Sequence, residues 1–329
     1  MDNVQLSVCI PTYNFGEFIG QTLASIIEQA NDQVEIVIGD GASTDNTLEV
    51  VKSYQKIFPR LTYCNFGKKG GVDLDVVKTV ALARGEYCWL MSADDVLEPG
   101  AIDRILAELK YGHAIYLCNR IDCDRNLKKI ANRYWLSRKH GDGVFDFSDS
   151  QVLLEYLKSA QLLGALFGYL SSIIVHRDEW GRVSGNEIFL GSNYAHVQRL
   201  FFIAKAGGRV KYIHDPLVSA RLFNDSFMAN GIARRYMIDL DGFKLLSDHL
   251  FSEAKYRDAV KSTMRKEHKW YFLAGLRNKV SGEEWDELRV RLSYYGYSPV
   301  GLYLVKMLGE ANWMMSLARN LRRALSNQP

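Results

Sequence analysis

The 329-residue chain has five cysteines but no CxxC pair, and Cys9, Cys64, Cys88, Cys118 and Cys123 show no zinc-ligand spacing. Three of them lie inside apolar runs, where a thiol behaves as a small hydrophobe, so a structural zinc is excluded and a reducing compartment is expected. His113, His140, His176, His214, His249 and His268 lack metal-ligand spacing too. The opening MDNVQLSVCIPTYN has neither the basic nor the apolar region of a secretory signal, which reads as a cytoplasmic chain. The segment Ser159 to Val175 is uncharged but only 17 residues long. A bilayer needs about 20. Diluted by Gly, Ser and Gln, the segment reads as a loop feeding a buried strand, Tyr169 to Val175. With 41 basic and 38 acidic residues, the net charge of +3 is too balanced for a nucleic-acid partner. Repeats, low-complexity tracts and a Pro/Gly-rich linker are missing as well.

What is present is enough apolar material, 47% of residues, for a large core. The first 120 residues alternate short β-branched runs with amphipathic stretches, the pattern of βαβ units building a mostly parallel, Rossmann-like α/β sheet flanked by helices. The expected strands are Gln5 to Ile10, Val34 to Gly39, Leu61 to Asn65, Tyr87 to Met91 and Ala114 to Cys118. Helical spacing follows Phe18, with Asn14 placed to cap and Glu17 three residues later; Thr47 to Tyr54, Asp73 to Ala83 and Pro99 to Lys110 are the other helices. The chain divides into a first domain, 1–228, with halves 1–121 and 122–228, and a helical C-terminal extension, 229–329. The last segment sets Leu302, Leu304, Val305, Leu308, Trp313, Met314, Met315, Leu317 and Leu321 beside Lys306, Arg319, Arg322 and Arg323. An apolar face with basic flanks suits an anionic membrane surface, and it equally suits packing on the domain.

Ligands of such sheets sit beyond the carboxyl ends of the strands, where four polar turns fall. YCWLMSADD puts Asp94 and Asp95 after an apolar strand. One of them could cap the next helix, which leaves its neighbour's charge unexplained. A hard divalent cation, which takes oxygen ligands and substrate phosphates, explains both. IVIGDGASTDNT puts Asp40, Gly41 and Ser43 at a second strand end, IPTYN offers Pro11, Thr12, Tyr13 and Asn14 at a third, and FGKKGGVD brings Lys68, Lys69 and Asp73. Together these turns form a pocket for a nucleoside diphosphate.

IPTYN, GDGASTDNT, GG and ARGEYCWLMSADD, in this order, resemble the donor half of family-two glycosyltransferases of GT-A fold. The resemblance implies a nucleotide diphospho-sugar donor with its base near Pro11, Tyr13 and Asp40. It implies Asp94, after Ser92 and Ala93, toward the ribose or diphosphate, and Mg2+ or Mn2+ on Asp95 beside Asp94. Ser92 stands where a further Asp is common in the family. IYLCNR, RYWL, YLSSIIV, FLGSNYAHV, PLVSAR with NDSF, and ARR resemble abequosyltransferase-like O-antigen sugar transferases. Those enzymes add a sugar, often a dideoxyhexose, to a polyprenyl-diphosphate-linked saccharide at the inner face of the cytoplasmic membrane. The donor would then be CDP-, UDP- or dTDP-linked. Asn119, Arg120, Trp135, Tyr169 and Ser171 are the candidate acceptor residues, and Arg221, Asn224, Asp225, Arg234 and Arg235 could close over the diphosphate.

An inverting transferase needs a base for the acceptor hydroxyl, and the family's Glu-Asp pair maps onto Ser192 and Asn193. Either another group near Asn193 substitutes, with His196 and Glu187 as candidates, or configuration is retained and the leaving diphosphate takes the proton. The alternatives outside this class are a nucleotidyltransferase, whose Gly-rich basic loop after the first strand is missing here, and a catalytically inert nucleotide-sugar-binding protein.

Overall fold

The computed structural model describes residues 4–222, 224 and 231–307. Strands β1 (Leu6–Thr12), β2 (Val34–Asp40), β3 (Leu61–Asn65) and β4 (Tyr87–Leu90) alternate with helices α1 (Ile19–Ile27), α2 (Thr47–Gln55) and α3 (Val72–Ala81). Then come β5 (Val96–Leu97), α4 (Ala101–Leu109), β6 (Ile115–Cys123), β7 (Lys129–Arg133), β8 (Gly143–Phe145), α5 (Ser150–Ser159), β9 (Ile173–His176), α6 (Arg177–Arg182), α7 (Ala195–Lys205) and β10 (Val210–Arg221). One sheet contains all the strands in the order β3-β2-β1-β4-β9-β6-β10-β5, with β7 on β6 and β8 on β10. The pairs β1–β2, β2–β3, β1–β4 and β6–β10 are parallel; β9 enters antiparallel between β4 and β6.

Both faces of the central strands are covered, which is why β2 reads VEIVIGD with every residue buried. Alternate side chains feed two cores. Leu6, Val8 and Ile10 join Ile36, Ile38, Trp89 and the apolar faces of α1 and α4. Cys9, Val37, Cys88 and Leu90 join α3 and the second half of the chain. That second core also takes Met237, Leu240 and Phe243 from α8 (Ile232–Leu250), with residues of α9 (Ala254–Glu267), α10 (Trp270–Arg277) and α11 (Gly282–Tyr294). The C-terminal helices therefore share their core with Trp135 and Phe201 of residues 122–228.

The expected Tyr169–Val175 strand begins only at Ile173, because Leu170–Ser172 form a 3-10 turn whose polar groups are spent on the acidic loop described below. Asn14 does not cap α1: it has left-handed backbone (φ 59°), and its side chain accepts from Thr44 N–H at 2.7 Å. Among the described residues no helix is long and apolar enough to cross a membrane. The expected apolar-basic tail from Leu308 onward lies outside the described residues, as does Asp225.

Candidate active site

The carboxyl ends of β1, β2 and β4 bring the expected donor turns together. Gly41 N–H donates to Thr12 O at 2.9 Å, tying the β2 turn to the end of β1. Asn14 N–H donates to the Ser43 hydroxyl at 2.8 Å, and Gly16 N–H to Asp45 at 2.9 Å. Lys69 reaches over this turn to place its ammonium 3.9 Å from the centre of the Tyr13 ring. Pro11 and Tyr13 are partly exposed there, while the buried Thr12 hydroxyl has no partner.

Asp40 is fully buried: Oδ1 accepts from Ser43 N–H and Oγ, and Oδ2 from Tyr63 OH at 2.6 Å. The carboxylate shapes the turn expected to hold the nucleobase. Beneath the lysine loop lies Asp75, which no motif of the sequence singles out. One of its oxygens accepts from Gly70 N–H at 3.3 Å and the other, buried, has no partner. A Cβ on Gly41 or Gly70 would stand 2.9 or 2.4 Å from this carboxylate, so both glycines are required for close approach.

Asp94 and Asp95 follow β4 and are 7% and 3% exposed. Asp94 accepts from the Ser92 hydroxyl and from the Asn224 amide at 3.1 Å. Asp95 is held more tightly. Tyr169 OH and Ser171 Oγ each donate to Oδ2 at 2.5 Å, and Arg221 N–H donates to Oδ1 at 3.3 Å. Ser171 also accepts from Ser92 N–H at 2.9 Å, and its carbonyl receives Trp89 Nε1–H at 2.8 Å. Burial pushes the Asp94 carboxyl above its usual range; burial and the charge of Asp94 push Asp95 up to about 7. Two adjacent carboxylates are thus held in a dry turn with more negative charge than the surroundings neutralise.

Arg221 does not close over the pocket. Its guanidinium donates to Asp94 O at 2.6 Å, to Arg125 O at 3.0 Å and to Gln21, bracing the acidic turn against α1 and the β6–β7 hairpin. Ala93, also buried, accepts from Thr22 Oγ1 at 2.9 Å.

On the acceptor side, Tyr169 and Ser171 serve Asp95, and Arg120 lies over the Tyr169 ring at 4.2 Å. Arg120 and Arg133 both pair with the buried Asp122. Asn119 and Trp135, expected as acceptor contacts, are 0% and 2% exposed. Asn119 bonds to Trp135 N–H, Tyr212 OH and His214 O, and Trp135 Nε1–H to Cys118 O, so both are framework groups. Asp73 is likewise framework. Its carboxylate accepts from Gly191, Asn193 and Ala195 N–H at 2.8 to 3.0 Å and fixes the turn entering α7.

That turn carries Ser192 and Asn193 with no carboxylate of their own. His196, a candidate base, is buried, bonds to Phe167 O at 3.1 Å, and is pushed down to about 4 by burial. It is a neutral core residue. Glu187 sits exposed in a 3-10 turn. Arg235 pairs with Asp239, which also receives Tyr194 OH.

The sequence pattern of glycosyl transferase family 2 matches residues 7–169, from β1 through Tyr169. The chain is 33% identical over 275 residues to the abequosyltransferase RfbV of Salmonella typhimurium, covering 81% of this chain and 82% of that one. The chain belongs to glycosyl transferase family 2. As a family-2 glycosyltransferase it is an enzyme. It is also 26% identical over 205 residues to the GalNAc(5)-diNAcBac-PP-undecaprenol beta-1,3-glucosyltransferase of Campylobacter jejuni, over 61% of this chain and 63% of that protein. The GT-A fold is seen again in S. aureus TarS 1-349 in complex with UDP-GlcNAc, with a TM-score of 0.61 at 15% identity over 94% and 89% of the two chains. The Pyrobaculum calidifontis mannosyltransferase PcManGT, in complex with GDP-Man and Mn2+, aligns with a TM-score of 0.57 at 18% identity over 96% and 87%.

Proposed function

We propose that this family-2 glycosyltransferase moves a hexose, of the dideoxy class found on O-antigens, from a nucleotide diphospho-sugar to a lipid-linked saccharide, with retention, at the inner membrane face. The observation that carries this reading is the pair Asp94 and Asp95 at the carboxyl end of β4, in a turn ordered by Ser92, Ser171, Tyr169 and Arg221. On this reading the Tyr13 and β2 turns take the donor's nucleoside, and Lys69, whose ammonium sits over the Tyr13 ring, is the cation for its phosphates. The class of donor and acceptor follows the abequosyltransferase and the undecaprenol-linked glucosyltransferase among the relatives.

The residues present fit a divalent cation. Among the described residues no cluster of three or more His, Cys, Asp or Glu forms a site unaided, so substrate oxygens must complete the shell. The uncompensated charge that raises both aspartates is what a cation relieves. We place the ion on Asp94, with the Ser92 hydroxyl beside it, rather than on Asp95, to which the family resemblance gives it. Asp95, already bound to three protein donors, holds the turn in shape. Mg2+ or Mn2+ bound here would neutralise the departing diphosphate.

Retention is supported by the turn at Ser192 and Asn193, where Asp73 has its carboxylate committed to main-chain donors and His196 faces the core. The acceptor hydroxyl then gives its proton to the leaving phosphate. Membrane attachment is supported by Trp270 and Tyr271, exposed side by side after Lys269. It is supported also by Val300, Tyr303, Leu304 and Met307, exposed at helical spacing over residues 299–307. Incubation with CDP-, UDP- and dTDP-sugars, Mn2+ and a membrane fraction holding lipid-linked saccharide, followed by NMR of the product anomer, is the test. An α product from an α donor supports the reading, and a β product removes retention.

A further inference from the structure

An open groove of about 570 Å³ beside β7 and β10 is lined by Ala131, Asn132, Tyr134, Arg138 and His214, none of whose side chains has a role above. Its volume falls within the range of roughly 300–1,000 Å³ usual for ligand sites. The groove is built. Between Ile213 and Pro216 the β6–β10 register slips, and this irregularity lifts His214 out of the ladder, as bulges do when they re-aim a side chain. Tyr134 stacks on His214 with ring centres 4.8 Å apart and planes at 21°. Arg138 lies over the Tyr134 ring at 5.4 Å, and the Asn132 amide donates to Tyr134 OH at 3.4 Å.

Asn119 explains why these groups meet. Its amide oxygen accepts from Trp135 N–H at 2.9 Å and its amide nitrogen donates to His214 O at 2.7 Å, so one buried side chain clamps the segment that carries Tyr134 to the strand that carries His214. The lining also joins the acidic turn through a continuous set of contacts. Arg133, between Asn132 and Tyr134, pairs with Asp122. Asp122 pairs with Arg120, which covers Tyr169, the donor to Asp95.

We propose that the groove is a saccharide subsite, holding a sugar of the acceptor beyond the one that carries the reacting hydroxyl. The proposal rests on the glycosyltransferase reading for the source of that sugar. The Tyr134–His214 stack gives the groove an aromatic edge for a pyranose, and the Asn132 amide, Arg138 fork and Tyr134 hydroxyl offer hydrogen-bond partners to its hydroxyls.

Saturation-transfer NMR with methyl α-D-mannopyranoside, methyl α-D-galactopyranoside and methyl α-L-rhamnopyranoside tests it on the full chain. The expected result is transfer to at least one glycoside, kept in Asp94→Asn and weakened about tenfold in Tyr134→Ala and in Arg138→Ala. Thermal shifts by CDP, UDP, GDP and dTDP with Mn2+ on the same variants show that they are folded and that the donor site is intact. No transfer to any glycoside in the wild type, or transfer surviving both groove substitutions, overturns the subsite. Absence of every nucleotide shift in the wild type strikes at the donor reading instead, because the glycoside signal does not depend on it.

Discussion

Asp95→Asn removes a buried charge without changing the size of the side chain. Folding raises this carboxyl from an ordinary 3.8 to about 7. A raised folded value means that the protonated form favours the fold. The contribution is complete below about pH 4 and is lost as pH rises through about 7. Between pH 5 and pH 8 the unfolded state releases nearly all of its remaining proton at this site early, while the folded state holds it. The difference amounts to about 2–3 kcal/mol of stability lost by the wild type and not by the variant. The variant gives up part of a set of charge-assisted hydrogen bonds, a cost that does not follow pH. Urea unfolding followed by tryptophan fluorescence, with EDTA present, at pH 5 and pH 8 measures the two slopes. The stability difference between Asp95→Asn and wild type should move in favour of the variant by that amount on going to pH 8. A difference that stays constant across this range would refute the claim that Asp95 is an uncompensated buried carboxyl.

Other outcomes follow from the same contacts. Asp73→Ala leaves the N–H groups of Gly191, Asn193 and Ala195 without their acceptor and should cost about 2–4 kcal/mol in unfolding experiments. His196→Ala should lower stability while leaving the pH dependence of kcat unchanged; a lost alkaline or acidic limb would restore the histidine as a proton carrier. Arg221→Lys breaks the fork that joins Asp94 O, Arg125 O and Gln21, so kcat should fall more than the KM for donor rises in a steady-state transfer assay. Replacing Trp270 and Tyr271 together by Ala should weaken sedimentation with anionic vesicles on the order of 100-fold, from roughly 1.5 kcal/mol for each buried side chain.

The donor half was legible because its signals are local. Apolar runs such as VEIVIGD end in polar turns, and the parallel pairing of β1, β2, β3 and β4 places those turns on one edge. The arrangement around the acidic pair was not legible in the same way. Arg221 stands 126 positions from Asp95 and reaches it only because β10 returns beside β6. Tyr169 and Ser171 could be named as polar residues before an apolar run, yet nothing local said that they donate to Asp95 rather than to an acceptor. Amide and indole groups suit sugars, and they suit buried strand junctions equally well; the structure places Asn119 and Trp135 at such a junction. Asp73 reads as a donor ligand from its place beside the lysine loop, and the structure gives its carboxylate to the turn before α7, 118 to 122 positions away.

Asp94 and its turn are proposed to hold the diphosphate of a sugar donor for transfer. The most direct test of this is incorporation of sugar from a panel of labelled CDP-, UDP-, GDP- and dTDP-sugars into the lipid-linked fraction with Mn2+, comparing wild type with Asp94→Asn. The account predicts incorporation from at least one donor by the wild type and its loss in the variant, with folding unchanged by circular dichroism. Equal incorporation by both proteins, or none from any donor with acceptor present, would contradict it.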